Sequence, residues 1–460
     1  IIVKGVHMMT GKKLLFTALR HEPLTTLPWV PFAGVHAGYL TGFNARELYT
    51  EQDKLYTSLL KVHDLYKPDG MPVLFDLQLE AEILGCELQW SNDAPPSVKT
   101  HPLADQDEIP EKIPQASDGR LPLVLSVMEK LTKTIGEQTA LYGLICGPFT
   151  LAAHLRGTNL FMDMVLNEEY VHHLLTYTTN IAQQIADLYL KAGMDVIAAV
   201  DPLVSQISPD HFRTFLTKPY TDLFAHIRKA GQHREVFSSF FVCGNASNNI
   251  EPMCETSPDC ISIDENVDIA TAKKITDQHN ITIQGNIPLT TIMLFGNQQD
   301  NMKYVIDLCD SLEHNNLVIA PGCDMPYATP IENVIAVEQA VHQTEKARQM
   351  IINYNTPELE FHGELPDYDR LEKPLVEVFT LDSDTCAACT YMKAAALDAK
   401  SYFGDRIDVV EYKYTIPENI ARIRKMGVEK LPSIYLNGTL KYSSIIPNKT
   451  ELLKEIKKCL

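Results

Sequence analysis

The chain has 460 residues, 45% hydrophobic and 22% charged, the proportions of a soluble globular protein with room for more than one core. No stretch reaches the uninterrupted apolar length a membrane span requires, and a net charge of -19 argues against nucleic acid, whose binding rests on clustered Lys and Arg. Its 10 cysteines, mostly far apart, do not form a secreted disulfide framework, so a cytoplasmic location with mostly reduced thiols is expected.

In chain order, residues 1–9 are apolar but too short for a secretory signal, and His7-Met8 before a second Met reads as an appended remnant. Over 10–348, strand-like apolar runs alternate with amphipathic helical stretches, which indicates βα units around a parallel sheet. Predicted strands cover 27–32, 71–75, 140–145, 196–200, 236–243, 260–263, 282–285 and 317–320. Eight such units predict a closed (β/α)8 TIM-type barrel, an α/β fold. Most strands end in Gly, Pro, Asp or Asn, as in Gly147-Pro148, Asp201-Pro202, Gly244-Asn245, Asp264-Glu265, Gly285-Asn286 and Pro321-Gly322. That end of a barrel holds its active site.

The pattern fails over 349–373, an acidic, Pro-interrupted stretch that reads as a linker. Beyond it, 374–460 reads as a small α/β domain. Its predicted elements are a strand at 375–381, a helix at 386–403, a strand at 407–414, a helix at 417–426, two short strands around Asn437-Gly438, and a helix at 449–458.

Cys386-Ala-Ala-Cys389 opens the first helix of that domain. Unpaired N–H groups and the helix dipole stabilise a thiolate there, and the second thiol is placed to resolve a mixed disulfide. The alternatives are a zinc half-site, which lacks a second ligand pair nearby, or two inert thiols. Together with Lys430-Leu431-Pro432-Ser433-Ile434 and the closing hairpin and helix, the segment resembles a minimal thioredoxin or glutaredoxin fold over nearly all of 374–460. The resemblance implies that Cys386 attacks, Cys389 resolves, and Pro432 is a cis-proline set against the pair. Thr385 stands where thioredoxins usually have Trp.

Three barrel clusters carry functional groups: Phe241-Val242-Cys243-Gly244-Asn245, Ile319-Ala320-Pro321-Gly322-Cys323-Asp324, and the stretch from Phe75 to Gly85 that contains Asp76 and Glu80. Taken singly, a cysteine is more often a small buried hydrophobe than a ligand. Two of them converging with carboxylates at a barrel mouth are suited to Zn²⁺, which deprotonates a bound thiol at neutral pH.

The segments Cys146-Gly-Pro-Phe-Thr-Leu-Ala, Asp201-Pro-Leu-Val-Ser-Gln-Ile-Ser-Pro, Val242-Cys-Gly-Asn, Ile261-Ser-Ile-Asp-Glu, Gln284-Gly-Asn and Ala320-Pro-Gly-Cys resemble the uroporphyrinogen decarboxylase superfamily. The likeness spans about 10–345 and is greatest to the methylcobamide:coenzyme M methyltransferase branch. It implies methyl transfer from a methyl-corrinoid (cobalamin) to a zinc-activated thiol.

On that resemblance Cys243 and Cys323 match metal ligands, while Phe241 replaces the family His. His36, after the first strand, is then either a third ligand near Cys323 or a pocket histidine that binds no metal. Asp76, Glu80 or Asp264 would complete the set. Asp76 and Glu80 are also the candidate catalytic carboxylates, and Gly147, Asp201, Asn245 and Asn286 the candidate cofactor-binding residues. Without zinc, Cys243 and Cys323 become redox partners of the C-terminal dithiol or line a corrinoid or substrate pocket.

The decarboxylase branch fits less well, because the segment 28–38 lacks the Arg that would hold a poly-acid. Asp277-Gln-His-Asn-Ile-Thr282 lacks the Gly of a corrinoid-ligand motif, so a corrinoid is expected to arrive free or on a partner protein. The reading is a corrinoid-dependent methyltransferase-like enzyme coupled to a dithiol domain. Its alternatives are a decarboxylase of a small pyrrole or acid, and a non-catalytic corrinoid or metal-binding redox protein. Barrels of the superfamily commonly occur as dimers, so a homodimer is open to this chain.

Overall fold

The computed structural model describes residues 9–231, 234–355, 363–383, 387–428 and 430–460. Seven strands pair in parallel and in chain order: β1 Gly70–Pro72, β2 Ala140–Cys146, β3 Val196–Val200, β4 Phe237–Val242, β5 Cys260–Ile263, β6 Thr282–Ile287 and β7 Leu317–Pro321. Strands covered on both faces read as continuous apolar runs, and β2 and β3 are buried throughout.

Alternation along each strand separates two cores. Ala140, Tyr142, Leu144, Val196, Ala198, Val200, Val318 and Ala320 meet inside the curled sheet, whereas Leu141, Ile145, Ile197 and Ala199 pack with the surrounding helices. The N-terminal end of the sheet is plugged by α1 (Gly11–Leu19), whose start is capped by the Thr10 side chain. Its Leu15, Phe16 and Leu19 join the inner cluster, and its Lys12 Nζ bonds the buried Asp195 at 2.9 Å.

The expected first strand is reduced to a single bridge, Trp29 to Ile319. Proline supplies no N–H, so Pro28 and Pro31 remove two ladder donors. The segment still stands between β7 and β1: Val30 N–H donates to Ile319 O at 2.9 Å, Ile319 N–H to Pro28 O at 2.9 Å, and Asp69 N–H to Trp29 O at 2.9 Å. A closed barrel of the expected type is the arrangement consistent with these bonds.

A second sheet follows, ordered β9-β8-β10-β11, with β8 Leu375–Thr380, β9 Asp408–Lys413, β10 Ser433–Leu436 and β11 Thr439–Ser443. The β8–β9 pair is parallel and the other two pairs are antiparallel. Asn437 and Gly438 turn the last hairpin, both at positive φ (49° and 74°) as a tight two-residue turn requires. Glu377, buried on the central strand, accepts from Arg422 at 2.7 Å and from the Tyr368 hydroxyl at 3.0 Å.

In the barrel, α2 (Pro148–Arg156) follows β2 directly. In the second sheet, α3 (Ala387–Phe403) carries Tyr391, whose side chain is buried among barrel residues and whose hydroxyl donates to Ala153 O of α2 at 3.1 Å. The second sheet therefore sits over the C-terminal ends of the barrel strands. The first part of the expected linker also holds to the barrel, since the Tyr354 hydroxyl donates to Asp300 at 3.0 Å. Among the described residues, no helix is long and apolar enough to cross a membrane.

Candidate functional site

A cavity of about 560 Å³ lies between the strand ends and the second sheet, within the size range of small-molecule sites. Residues just beyond β4, β5 and β7 form its barrel wall: Cys243, Asp264, Glu265, Cys323 and Asp324. The second sheet contributes Leu381, Asp382, Lys413, Thr415 and Ile416.

The two cysteines expected to converge do so, but as a disulfide, with a Cα–Cα distance of 5.8 Å inside the range such a bond needs. Their sulfurs are thereby committed to each other. His36 is fully buried and its ring is engaged on both sides, Nδ1 with Tyr327 O at 2.9 Å and Nε2 with the Tyr66 hydroxyl at 2.6 Å. Burial pushes its pKa down to about 4. Of the two expected roles of His36, third ligand or pocket histidine, these bonds match the second: the loop lies near β7, and the ring points to a tyrosine pocket. Among the described residues, no group of three or more His, Cys, Asp or Glu stands together as a metal site.

Acidic residues near the mouth fall into two sets. Asp76 is bound by Arg120 at 2.5 Å and by Gln78 N–H at 2.9 Å. Glu80 accepts from Cys146 N–H at 3.1 Å, its other oxygen has no partner among the described residues, and burial pushes it up to about 7. Asp201 collects four donors: Phe149 N–H at 2.9 Å, Thr150 N–H at 3.1 Å, the Thr150 hydroxyl at 2.6 Å, and the Tyr220 hydroxyl. It thus caps the start of α2 from the neighbouring strand. None of the three walls the cavity.

The residues expected to bind a cofactor are also occupied with the scaffold. A Cβ at Gly147 would overlap the Asp201 carboxylate. Asn286 donates to Asp264 O at 3.0 Å and Val267 O at 2.8 Å, and Asn245 accepts from Ser247 N–H at 3.1 Å. Polar residues at strand ends satisfy loop backbone groups as readily as ligands, and Gly147, Asp201, Asn245 and Asn286 all lie outside the cavity wall.

The second set does line the cavity. Asp264 is fully buried; its Oδ1 accepts from Asn266 N–H at 2.9 Å, whereas its Oδ2 makes no well-formed hydrogen bond among the described residues, with the Gly244 N–H nearby. Glu265 accepts from Leu289 N–H, and Asp324 from Gly34 N–H at 2.7 Å. Burial raises the pKa of Asp264 and Glu265, the latter further through the charge of Asp264. Burial also pushes Asp324 up to about 8. Lys413 is the one basic residue among the described wall residues, and it is bound to Asp382 at 2.8 Å.

The sequence places Asp324 in a functional cluster and Glu265 in a family-like segment but assigns neither a specific role, although each follows directly on a candidate ligand. Their signal was an acid at a strand end with no basic residue beside it. In the second sheet, Leu381 N–H donates to Cys389 Sγ at 3.3 Å, and Leu381 itself lines the cavity. The Leu431–Pro432 peptide is cis. Cys386 lies outside the described residues.

The model of the uroporphyrinogen decarboxylase family matches residues 10–344. A methylcobamide:CoM methyltransferase of Methanosarcina acetivorans is 30% identical over 336 residues, 71% of this chain and 95% of the relative. A uroporphyrinogen decarboxylase of Nostoc punctiforme is 24% identical over 276 residues, 58% of this chain and 76% of the relative. Among solved structures, a methyltransferase from Methanosarcina mazei shares the fold with a TM-score of 0.66 at 23% identity, covering 74% of this chain and 100% of the other.

Proposed function

Because the chain belongs to the uroporphyrinogen decarboxylase family, we propose that its barrel transfers a methyl group between a methyl-corrinoid and a thiol or related acceptor. The observation that carries this reading is the cavity wall, where Cys243 and Cys323 sit and which has no arginine among its described residues. A porphyrinogen poly-acid would require several cations there. A chamber of about 560 Å³ suits a small acceptor, with the corrinoid presented at the mouth as the second substrate, free or on a partner protein. In the transfer a sulfur–methyl bond forms as the methyl–cobalt bond breaks; the electron pair stays on the corrinoid, and the thiol proton leaves to solvent.

Zinc is the group the family resemblance implies for activating that thiol. The residues do not fit it as they stand, since Cys243 and Cys323 are bonded to each other and both His36 nitrogens are taken.

For 374–460 we infer a thioredoxin-like dithiol unit, a reading supported by the strand order, by the cis bond before Pro432 and by Cys389 at the first turn of α3. Its role would be to reduce the barrel disulfide. A thiolate of the Cys386/Cys389 pair attacks one sulfur of the Cys243–Cys323 bond and the second thiol resolves the mixed disulfide. Two electrons and two protons pass to the barrel pair, and an external dithiol regenerates the donor. The shared cavity supports the pairing, because Leu381, bonded to Cys389, and the barrel disulfide line the same space.

The test is to incubate the full chain with methylcobalamin and a panel of thiols while following the corrinoid spectrum, before and after reduction. Thiol-dependent demethylation that is faster after reduction is expected. Demethylation by no thiol in either state sinks the reading, and corrinoid binding without turnover would leave only a carrier.

A further inference from the structure

Resting on the methyl-transfer reading, we propose that the small substrate of the cavity carries a positive charge: an aminothiol or its methylated form, its ammonium set among Asp264, Glu265 and Asp324. The charges on the wall favour it. Asp93, Asp264, Glu265, Asp324 and Asp382 line the cavity with Lys413 as the sole cation among the described residues. Lys413 is already answered by Asp382 at 2.8 Å, and the Thr415 hydroxyl holds the other oxygen of Asp382 at 3.1 Å.

An anionic acceptor would enter this chamber with Lys413 already paired to Asp382, and its charge would hold the surrounding carboxyls in their protonated form, whereas a cation favours their ionisation and is attracted to it. A cation supplies what the wall lacks. Asp264 Oδ2 is the least satisfied oxygen of the wall: it belongs to a fully buried carboxyl and, among the described residues, has the Gly244 N–H nearby but no well-formed hydrogen bond, although buried polar atoms almost always have one.

An organic cation suits the wall better than an inorganic one. The described acids do not cluster as a metal site, and Phe75, Leu77, Leu289 and Met325 give the rest of the wall an apolar surface for a short carbon chain. The inference separates this chain from what the name of its methyltransferase relative says that protein acts on, since CoM is a thiol bearing a sulfonate.

Three two-carbon thiols differing only in the far group test it: cysteamine (ammonium), 2-mercaptoethanol (hydroxyl) and 2-mercaptoethanesulfonate. Binding of their S-methyl derivatives to the full chain, measured by calorimetry, needs neither donor nor turnover. The ammonium compound should bind about tenfold tighter than the hydroxyl compound and the sulfonate weakest. Glu265→Gln and Asp264→Asn, checked for folding by thermal melting, should each narrow the ammonium-to-hydroxyl ratio. Sulfonate binding as tight as ammonium, binding of none of the three, or a ratio that neither variant moves would overturn the proposal. If the ammonium preference holds but no thiol of the wider panel demethylates methylcobalamin, before or after reduction, the methyl-transfer reading fails and the charge preference stands.

Discussion

At the C-terminal end of the barrel, Asp76, Glu80 and Asp201 lie behind the cavity wall while Asp264, Glu265 and Asp324 form part of it. All six are drawn from strand-end segments of similar composition, yet their partners differ. Asp76 has an arginine and Asp201 four donors, whereas the wall acids meet backbone N–H groups, a single asparagine side chain and no cation. A buried carboxylate with a full set of donors is part of the scaffold. One left short of partners beside a cavity is a candidate for a ligand.

The strongest way to break that division is Asp201→Ala. It would leave two backbone N–H groups and the hydroxyls of Thr150 and Tyr220 without their acceptor. A loss of about 3–5 kcal/mol is expected, the range for opening a buried charged network, read from denaturant unfolding. A loss below about 1 kcal/mol would place Asp201 outside the scaffold set.

Glu80 sharpens the comparison, because it sits with the scaffold acids but has one oxygen without a partner. Burial lifts its pKa to about 7 from 4.5. Between those values the folded state holds a proton that the unfolded state has released, so stability falls as pH rises through that window. The full shift corresponds to about 3 kcal/mol. Glu80→Gln should remove this slope, so the variant gains on the wild type as pH goes from about 4.5 to about 7. Parallel stability curves for the two proteins would mean that Glu80 has an undetected partner.

The barrel strands were legible in the sequence because parallel strands buried on both faces leave unbroken apolar runs such as Val196–Val200. Segment 27–32 runs where its strand is expected but makes a single bridge, because its two prolines supply no ladder donors. At the site, backbone proximity was legible and side-chain direction was not. The loop of His36 does reach the end of β7, as Gly34 N–H bonding Asp324 shows, but nothing in the chain order says that the ring turns toward Tyr66. Nor does sequence spacing reveal whether two thiols 80 residues apart bond to each other or to a metal. The Glu377–Arg422 pair of the second sheet went unseen for the same reason, since its partners come from separate elements.

The smallest expected change in stability is at Glu265, and its smallness is the point. Glu265→Gln keeps an oxygen to accept from Leu289 N–H and removes a carboxyl whose ionisation burial and Asp264 already oppose. Unfolding free energy at neutral pH should therefore move by less than about 1 kcal/mol, in either direction. Asp76 or Asp201 could not be neutralised at so small a cost, because their donors would lose a charged acceptor. If Glu265→Gln instead destabilised the chain as much as Asp201→Ala, the wall acids would be structural after all. Near-neutral stability together with a weakened hold on an ammonium ligand is the pair of results that only a ligand-facing acid produces.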